Sequence, residues 1–523
     1  MAVFREERHA SLGRVLRATA PISRGAVLAR EKPVLSMTPL RALALDERRT
    51  LLRAVSELGA STLDLLCAAH AYAHAPKSVR ATVLATFCGM EAVPTEGAKL
   101  EAVSDVEHVA RWWTERAEAR GGPRVDAAEL TQALMAFQLN AHHTPQLGDR
   151  RCGALYALGS RFTHACASAN CAFAHDGDGA LVHRAVRAIE NGEVLTANYL
   201  GPWEYGSARV RRAALMRSKC FECRCATCLV AADAMRAMPC PACGARRGAD
   251  GLLADDGAGT EGAGALDGAL DGAVLPVALG GGCEEWRCAR CGLALSADAM
   301  DVRIAEGDAW PLTPCARGHG AGTLLEWERR VEAAAHNLLM IVYASRDGDA
   351  HAALARLPAI VRAVRALLGA RHWVVAFLVA IQLEATVGLA SRMADAPEAE
   401  LLAAARGRLG LPVSSLGELL AACARMALQL HRWHRARAPL AAAPFFEDVC
   451  ELAELACRVV ASTAAAAARD TILTVVALVR VDLVRVCVQL GDGGDEAVRL
   501  RRSQRVLLRA LAGRNETHWV LSR

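Results

Sequence analysis

Short apolar runs punctuated by Gly and Pro open the chain. Gly13-Arg14-Val15-Leu16-Arg17-Ala18 and Ala26-Val27-Leu28-Ala29-Arg30-Glu31-Lys32-Pro33 flank the turn Pro21-Ile22-Ser23-Arg24-Gly25, and the two runs read as a β-hairpin. From about Leu43 to Ala119 the spacing becomes helical, with Leu63, Leu66 and Ala69 followed by Tyr72 and Ala73. Val194 to Asn198 reads as a short buried strand ending at Tyr199. Gly248 to Gly282 is rich in Gly, Ala and Asp, with too few large apolar residues to build a core, and reads as a loop. Helical spacing returns at Leu324, where Leu324, Trp327, Val331, Leu338 and Val342 share a face until Asp347-Gly348. Similar stripes run to Leu511, broken at Arg406-Gly407-Arg408-Leu409-Gly410 and at Gly491-Asp492-Gly493-Gly494. No clean repeat period connects them.

With 523 residues the chain exceeds one ordinary core, and two to four domains are expected. Hydrophobic residues at 53% and charged residues at 22% describe a folded rather than a disordered chain. The net charge of +5 is weak over this length and does not argue for a nucleic-acid partner. The basic run Arg499, Arg501, Arg502, Arg505 and Arg509 reads as a solvated helix face. The first residues lack the apolar core of a signal peptide. The run Trp373 to Ile381 is too short to cross a membrane, and Arg480, Asp482 and Arg485 interrupt the apolar stretch near Val475. A cytoplasmic or nuclear protein without a membrane span is the expectation.

The nineteen cysteines change the picture through their spacing. Cys223, Cys225 and Cys228 form C-x-C-x2-C, three thiolates within reach of one small tetrahedral ion, which needs a fourth ligand from elsewhere. Cys240, Cys243, Cys288 and Cys291 are two C-x2-C pairs, as in a zinc ribbon, with Cys283, Cys315 and His319 as spare candidates. Two Zn2+ sites are expected. Four thiolates leave no open position for substrate, so their role is architectural.

Upstream of the first cluster lie Thr163-His164-Ala165-Cys166-Ala167-Ser168-Ala169-Asn170-Cys171 and then Gly192-Glu193-Val194-Leu195-Thr196-Ala197-Asn198-Tyr199. The order of these three motifs resembles the SET domain of protein lysine methyltransferases, in the branch related to SET-and-MYND proteins. The family pattern is Asn-His-Ser-Cys-x-Pro-Asn, then Gly-Glu-Glu-Leu-x-x-x-Tyr, then the cysteine cluster. The resemblance covers about Gly13 to Leu229 and, more loosely, the second cysteine set and Arg371-His372-Trp373 in the tail. Only Cys67 and Cys88 fall between Leu43 and Ala119, so a MYND finger cannot be built and the insert is helical alone.

The resemblance implies an α+β protein: a β-rich SET fold of small sheets with a pseudoknot, a helical insert, zinc-binding segments and an all-α, tetratricopeptide-like C-terminal domain. The implied divisions are 1–40 and 126–215 for the two SET parts, 41–125 for the insert and 216–232 for the post-SET zinc cluster. A ribbon-like segment at 233–322 and a helical domain at 323–523 follow. It implies an S-adenosyl-L-methionine-dependent protein-lysine N-methyltransferase with Cys166 as the fourth zinc ligand and Tyr199 as the catalytic tyrosine. Donor contacts then fall to Gly13, Arg14, Asn140, Ala141, Thr163, His164, Tyr199 and Phe221. The partners implied are a protein carrying the target lysine and proteins bound through the helical domain. The sequence departs from the family at Val15 for the second glycine, Thr163 for asparagine and Ala165 for serine. It also lacks the proline and has Lys219 for an aromatic. A cation at that wall repels a substrate ammonium unless it is deprotonated or turned outward. The alternative is a catalytically silent SET-fold scaffold that binds partners through its helical domain.

Overall fold

The computed structural model describes residues 3–10, 12–59, 62–87, 89, 101–120, 123–143, 153–166, 169–175, 180–200, 205–230, 232–240, 242, 273–280, 283–288, 290–296, 324–344, 347–393, 395–437, 446–461, 473–476, 479 and 495–512. They form a mixed α and β protein with small sheets and a helical C-terminal part. Its contacts divide into two compact units. One is built on residues 1–201 and 209–228 with 487–495, the other on 202–208 and 229–486 with 496–523.

In the first unit, strands β1 (Phe4–His9) and β2 (Gly13–Ala18) form an antiparallel hairpin with Glu6 opposite Leu16. The expected hairpin between 13–18 and 26–33 does not form. Strand β3 (Val27–Glu31) pairs instead with a later strand, and Ile22 in the intervening turn bridges to Ile189. Leu16, Ala18 and Ile22 are buried in one core with Leu28 and Ala29 of β3, so the two strands meet through side chains while their backbones pair elsewhere, β2 with β1 and β3 with that later strand. Five helices follow β4 (Leu35–Ser36). They are α1 (Leu45–Leu58), α2 (Leu63–His74), α3 (Lys77–Thr86), α4 (Glu101–Arg120) and α5 (Ala127–Asn140). The stripe on α2 is core, with Leu66, Ala69 and Tyr72 fully buried against Leu130, Leu134 and Phe137 of α5. The Tyr72 hydroxyl donates to Glu129 at 2.9 Å, which satisfies its polar end. Asp126 caps α5, accepting from Ala128 N–H at 2.9 Å and Glu129 N–H at 3.1 Å.

Strands β5 (His142–His143) and β6 (Gly153–Leu155) complete a sheet of order β4-β6-β5. Strands β8 (Cys171–His175) and β9 (Leu181–Ala185) complete the sheet β3-β9-β8. Between these, β7 (Thr163–His164) runs parallel to β10 (Thr196–Ala197). The segment 194–197 lies between β2 and β7 and is bonded to both. Leu195 N–H donates to Leu16 O at 2.8 Å, Thr163 N–H to Leu195 O at 3.1 Å and Ala165 N–H to Ala197 O at 3.1 Å. Helices α6 (Ala208–Lys219) and α7 (Ala226–Leu229) frame the cysteine cluster.

In the second unit, β11 (Met238–Pro239), β12 (Ala273–Gly280), β13 (Cys283–Cys288) and β14 (Ala294–Ser296) form one antiparallel sheet in chain order. The loop expected to reach Gly282 therefore stops earlier, because Ala273, Val274 and Pro276 are buried in β12. The rest of that expected loop, 248–272, lies outside the described residues. The helical part comprises α8 (Leu324–Ala344), α9 (Asp347–Leu368), α10 (Trp373–Arg392), α11 (Glu398–Leu409), α12 (Leu416–Arg437), α13 (Phe446–Ala461) and α14 (Asp495–Ala512). Asp347 begins a new helix where the pattern stops. The break at 406–410 falls at its end, with Gly407 inside α11 and Gly410 in the left-handed conformation as its C-cap. The Gly491–Gly494 break lies outside the described residues. Helix α10 spans 20 residues and is long and apolar enough to cross a membrane, longer than the run Trp373 to Ile381 indicated. Most of its surface, including Trp373, Phe377, Leu383 and Thr386, is buried inside the unit, as in a core helix.

Candidate functional site

The turn after α6 delivers Cys223, Cys225 and Cys228, and the loop after β7 delivers Cys166. The four sulfurs lie within 4.8 Å of one another. Cys166 Sγ is 4.0 Å from Cys223 Sγ and 3.6 Å from Cys228 Sγ. Thiolates bound at about 2.3 Å in a tetrahedron stand roughly 3.8 Å apart, so the cluster has the size of a Zn2+ site. Hydrogen bonds from Cys166 push the Cys228 thiol down to about 6 and the Cys225 thiol well below the ordinary thiol range. The same sulfur–sulfur hydrogen bonds push the Cys166 thiol up, and Cys223 is raised as well, so an ion binding here would displace the protons these two share with the cluster. Four thiolates and one Zn2+ leave two negative charges, and buried Arg211 stands over them with Nη2 3.6 Å from Cys228 Sγ. Arg212 fastens the turn from outside, donating to Cys223 O at 3.2 Å and Cys228 O at 2.7 Å.

His164 joins this cluster to Tyr199. Tyr199 N–H donates to His164 Nδ1 at 3.1 Å, so the ring proton is on Nε2 and donates to Cys166 Sγ at 3.2 Å. Burial holds this imidazole down to about 4, which keeps it neutral and in that tautomer. The His164 ring lies 5.2 Å from the Tyr199 ring and 6.0 Å from the Phe221 ring, so three aromatic groups meet beside the sulfurs. The Tyr199 hydroxyl donates to the Phe162 carbonyl. Below them Asn170, 1% exposed, accepts from Thr196 N–H at 2.7 Å and donates to Val194 O at 2.8 Å and to Glu193 Oε1 at 3.0 Å. That side chain locks the loop holding Cys166 to the strand that leads into Tyr199.

The remaining residues singled out in the sequence have local partners of their own, and none of the contacts below joins them to this centre. Gly13 begins β2 with φ of +72°, and a Cβ there would meet nothing within 4 Å. Arg14 donates to Thr86 O at 2.9 Å, and Arg161 reaches the same carbonyl at 2.5 Å, which ties the start of β2 to the segment before Thr163. Two guanidinium groups at the last residue of α3 also complement its dipole. Asn140 ends α5 with Nδ2 donating to Ala136 O at 2.8 Å, and Ala141 caps the helix through its N–H to Phe137 O at 3.0 Å. Lys219, at the end of α6, donates from Nζ to Gln138 O at 3.2 Å and Leu139 O at 3.1 Å. Burial pushes its ammonium down to about 8.

A second cysteine group holds Cys240, Cys288 and Cys291, again within 4.8 Å, with 3.7 Å between the sulfurs of Cys240 and Cys291. Cys243, Cys315 and His319 lie outside the described residues. In the same unit Arg236 sits 5.0 Å over the ring of fully buried Trp286 and makes a bidentate pair with Glu328.

Sequence spacing missed Arg211, because in the run Arg209-Val210-Arg211-Arg212 nothing separates the buried arginine from its exposed neighbour Arg209. It also missed the side-chain role of His164 and the clamp formed by Asn170. Asn170 does carry a signal: it is an amide set among the small residues Ala167, Ser168 and Ala169. Comparison of the chain with protein-family models and with curated proteins finds no match.

Proposed function

We propose that the first unit is a SET-type protein-lysine N-methyltransferase using S-adenosyl-L-methionine, with its segment 194–197 as the strand of the SET pseudoknot. In this reading the helical C-terminal part is a tetratricopeptide-like array that binds protein partners. The observation that carries the proposal is that Cys166 closes on Cys223, Cys225 and Cys228 and thereby gathers His164, Tyr199 and Phe221 at one place.

The residues present fit the donor in two respects. The rings of His164, Tyr199 and Phe221 form an aromatic wall suited to a flat base and a sulfonium, and the space before Gly13 is open. Gly13, Arg14, Asn140, Ala141, Thr163, His164, Tyr199 and Phe221 would hold the donor. When bound, it supplies an electrophilic methyl group.

The substrate lysine has to arrive as a neutral amine with its lone pair in line, so this chain's contribution is orientation and exclusion of water. In this reading the Tyr199 hydroxyl, which donates to Phe162 O, would accept a hydrogen bond from an incoming amine. His164 holds the Tyr199 backbone, and Cys166, which would be a zinc ligand, fixes His164 in turn. Lys219 is the departure that matters: its charge is taken up by the carbonyls of Gln138 and Leu139. That same observation favours the second reading, a silent SET-fold scaffold, if the ammonium obstructs the amine's path.

Transfer of labelled methyl from S-adenosyl-L-methionine to a peptide array tests the proposal. Labelling that falls about 100-fold or more in Tyr199→Phe supports it. Calorimetry that finds no donor binding to zinc-loaded protein refutes it and leaves the scaffold.

A further inference from the structure

We propose that Glu47, His70 and His74 form a third metal site, for a divalent transition ion of the Zn2+, Co2+ or Ni2+ class, on the helical part of the first unit. The proposal is independent of the methyltransferase reading and of both thiolate clusters. His70 and His74 are one helical turn apart on α2, so they share a face, and Glu47 comes from the first turn of α1. One ligand atom of each lies within 4.8 Å of the others.

What separates this group from a chance surface cluster is that each ligand is held by its other polar atom. Glu47 Oε2 accepts from Ala44 N–H at 3.1 Å, which leaves Oε1 facing His70 Nε2 at 3.4 Å. His70 Nδ1 is 3.2 Å from the Thr38 hydroxyl. His74 Nδ1 donates to His70 O at 2.8 Å, so its Nε2 carries the lone pair. Such outer partners fix the tautomer and direction of metal-binding imidazoles. The Thr38 hydroxyl can accept as well as donate, so His70 can move its proton to Nδ1 and offer Nε2 to an ion.

The surroundings favour the neutral, ligating form. The two imidazoles stack with centroids 4.1 Å apart, and the edge of Trp113 lies against His70 at 6.1 Å. Burial, and then the neighbouring His74, hold His70 below the ordinary histidine range. Two imidazoles and one carboxylate suit borderline ions and not Ca2+ or Mg2+, which need oxygen ligands. The Glu47 side chain is 45% exposed, so an ion there keeps positions open to water.

The test uses the full chain with its thiolate clusters already zinc-loaded and excess metal removed by dialysis. Calorimetric titration with Zn2+ should then show one further equivalent per chain, weakened at least tenfold in His74→Ala and in Glu47→Gln. Ca2+ should give no such signal. Far-ultraviolet circular dichroism and the melting curve check that the exposed His74 and Glu47 positions tolerate substitution. A wild-type titration with no further equivalent overturns the proposal. So does a further equivalent that both variants retain at full affinity, or one that Ca2+ fills equally well.

Discussion

Removing the Glu328 carboxylate should unravel the second unit more than removing any exposed charge. Glu328 is fully buried on α8. It accepts two hydrogen bonds from Arg236 at 2.7 Å each and one from His372 Nε2 at 3.1 Å. His372 is fixed in the donating tautomer because its Nδ1 accepts from Val374 N–H at 3.3 Å. Burial alone would raise the Glu328 carboxyl, but the hydrogen bonds from Arg236 and His372 outweigh it and hold the group at about 2. Against its ordinary value of 4.5, that is about 3 kcal/mol in favour of the ionised form in the fold. Deleting one partner of a buried pair leaves an uncompensated charge and costs about 3–5 kcal/mol.

Glu328→Ala should therefore lower the melting temperature of this unit by on the order of 10 °C in scanning calorimetry. The sign with pH follows from the depressed value. The stabilisation is fully present above about 4.5 and is lost as pH falls toward 2, so the variant's stability should change less over that window. Replacing both partners by apolar groups, Arg236→Met with Glu328→Leu, should recover much of the loss. A Glu328→Ala cost below about 1 kcal/mol, or losses for Arg236→Ala and Glu328→Ala that simply add, would show that the buried pair does not hold this unit together.

Three other outcomes are expected. Cys223→Ser should lower bound zinc by one equivalent per chain in elemental analysis, and should melt the Phe221–Cys228 turn first in hydrogen exchange, because metal binding there is folding energy. Asn170→Ala should cost about 1–3 kcal/mol in urea unfolding, since it removes a buried amide that pairs the half-buried Thr196 N–H and Val194 carbonyl. Gly410→Ala should cost roughly 2–5 kcal/mol by the same assay. The residue has φ of +61°, and an added Cβ would lie 2.0 Å from the Ala355 carbonyl oxygen of α9.

The local part of this protein was legible in its sequence. Three cysteines spaced C-x-C-x2-C have to be neighbours whatever the fold, because so few residues of chain separate them. The helical spacing of Leu63, Leu66, Ala69 and Tyr72 gave α2 and its buried face, since side chains three and four apart share a face on any helix. The resemblance that singled out Cys166 pointed to a residue the structure does bring to the cluster, across 57 positions.

Tertiary structure alone decided the rest. Strand β2 carries the same apolar pattern whether it pairs with β1 or with β3, and the tertiary structure separates the two pairings by pairing β3 with β9 and bridging Ile22 to Ile189. Arg211, Arg236 and Glu328 look like solvated charges in the sequence, and each is buried because a partner distant in the chain compensates it. Glu47 meets His70 and His74 only because α1 packs on α2. A chain's periodicity records which face of an element is apolar. Which faces meet depends on closing loops between distant segments, and no local pattern encodes that.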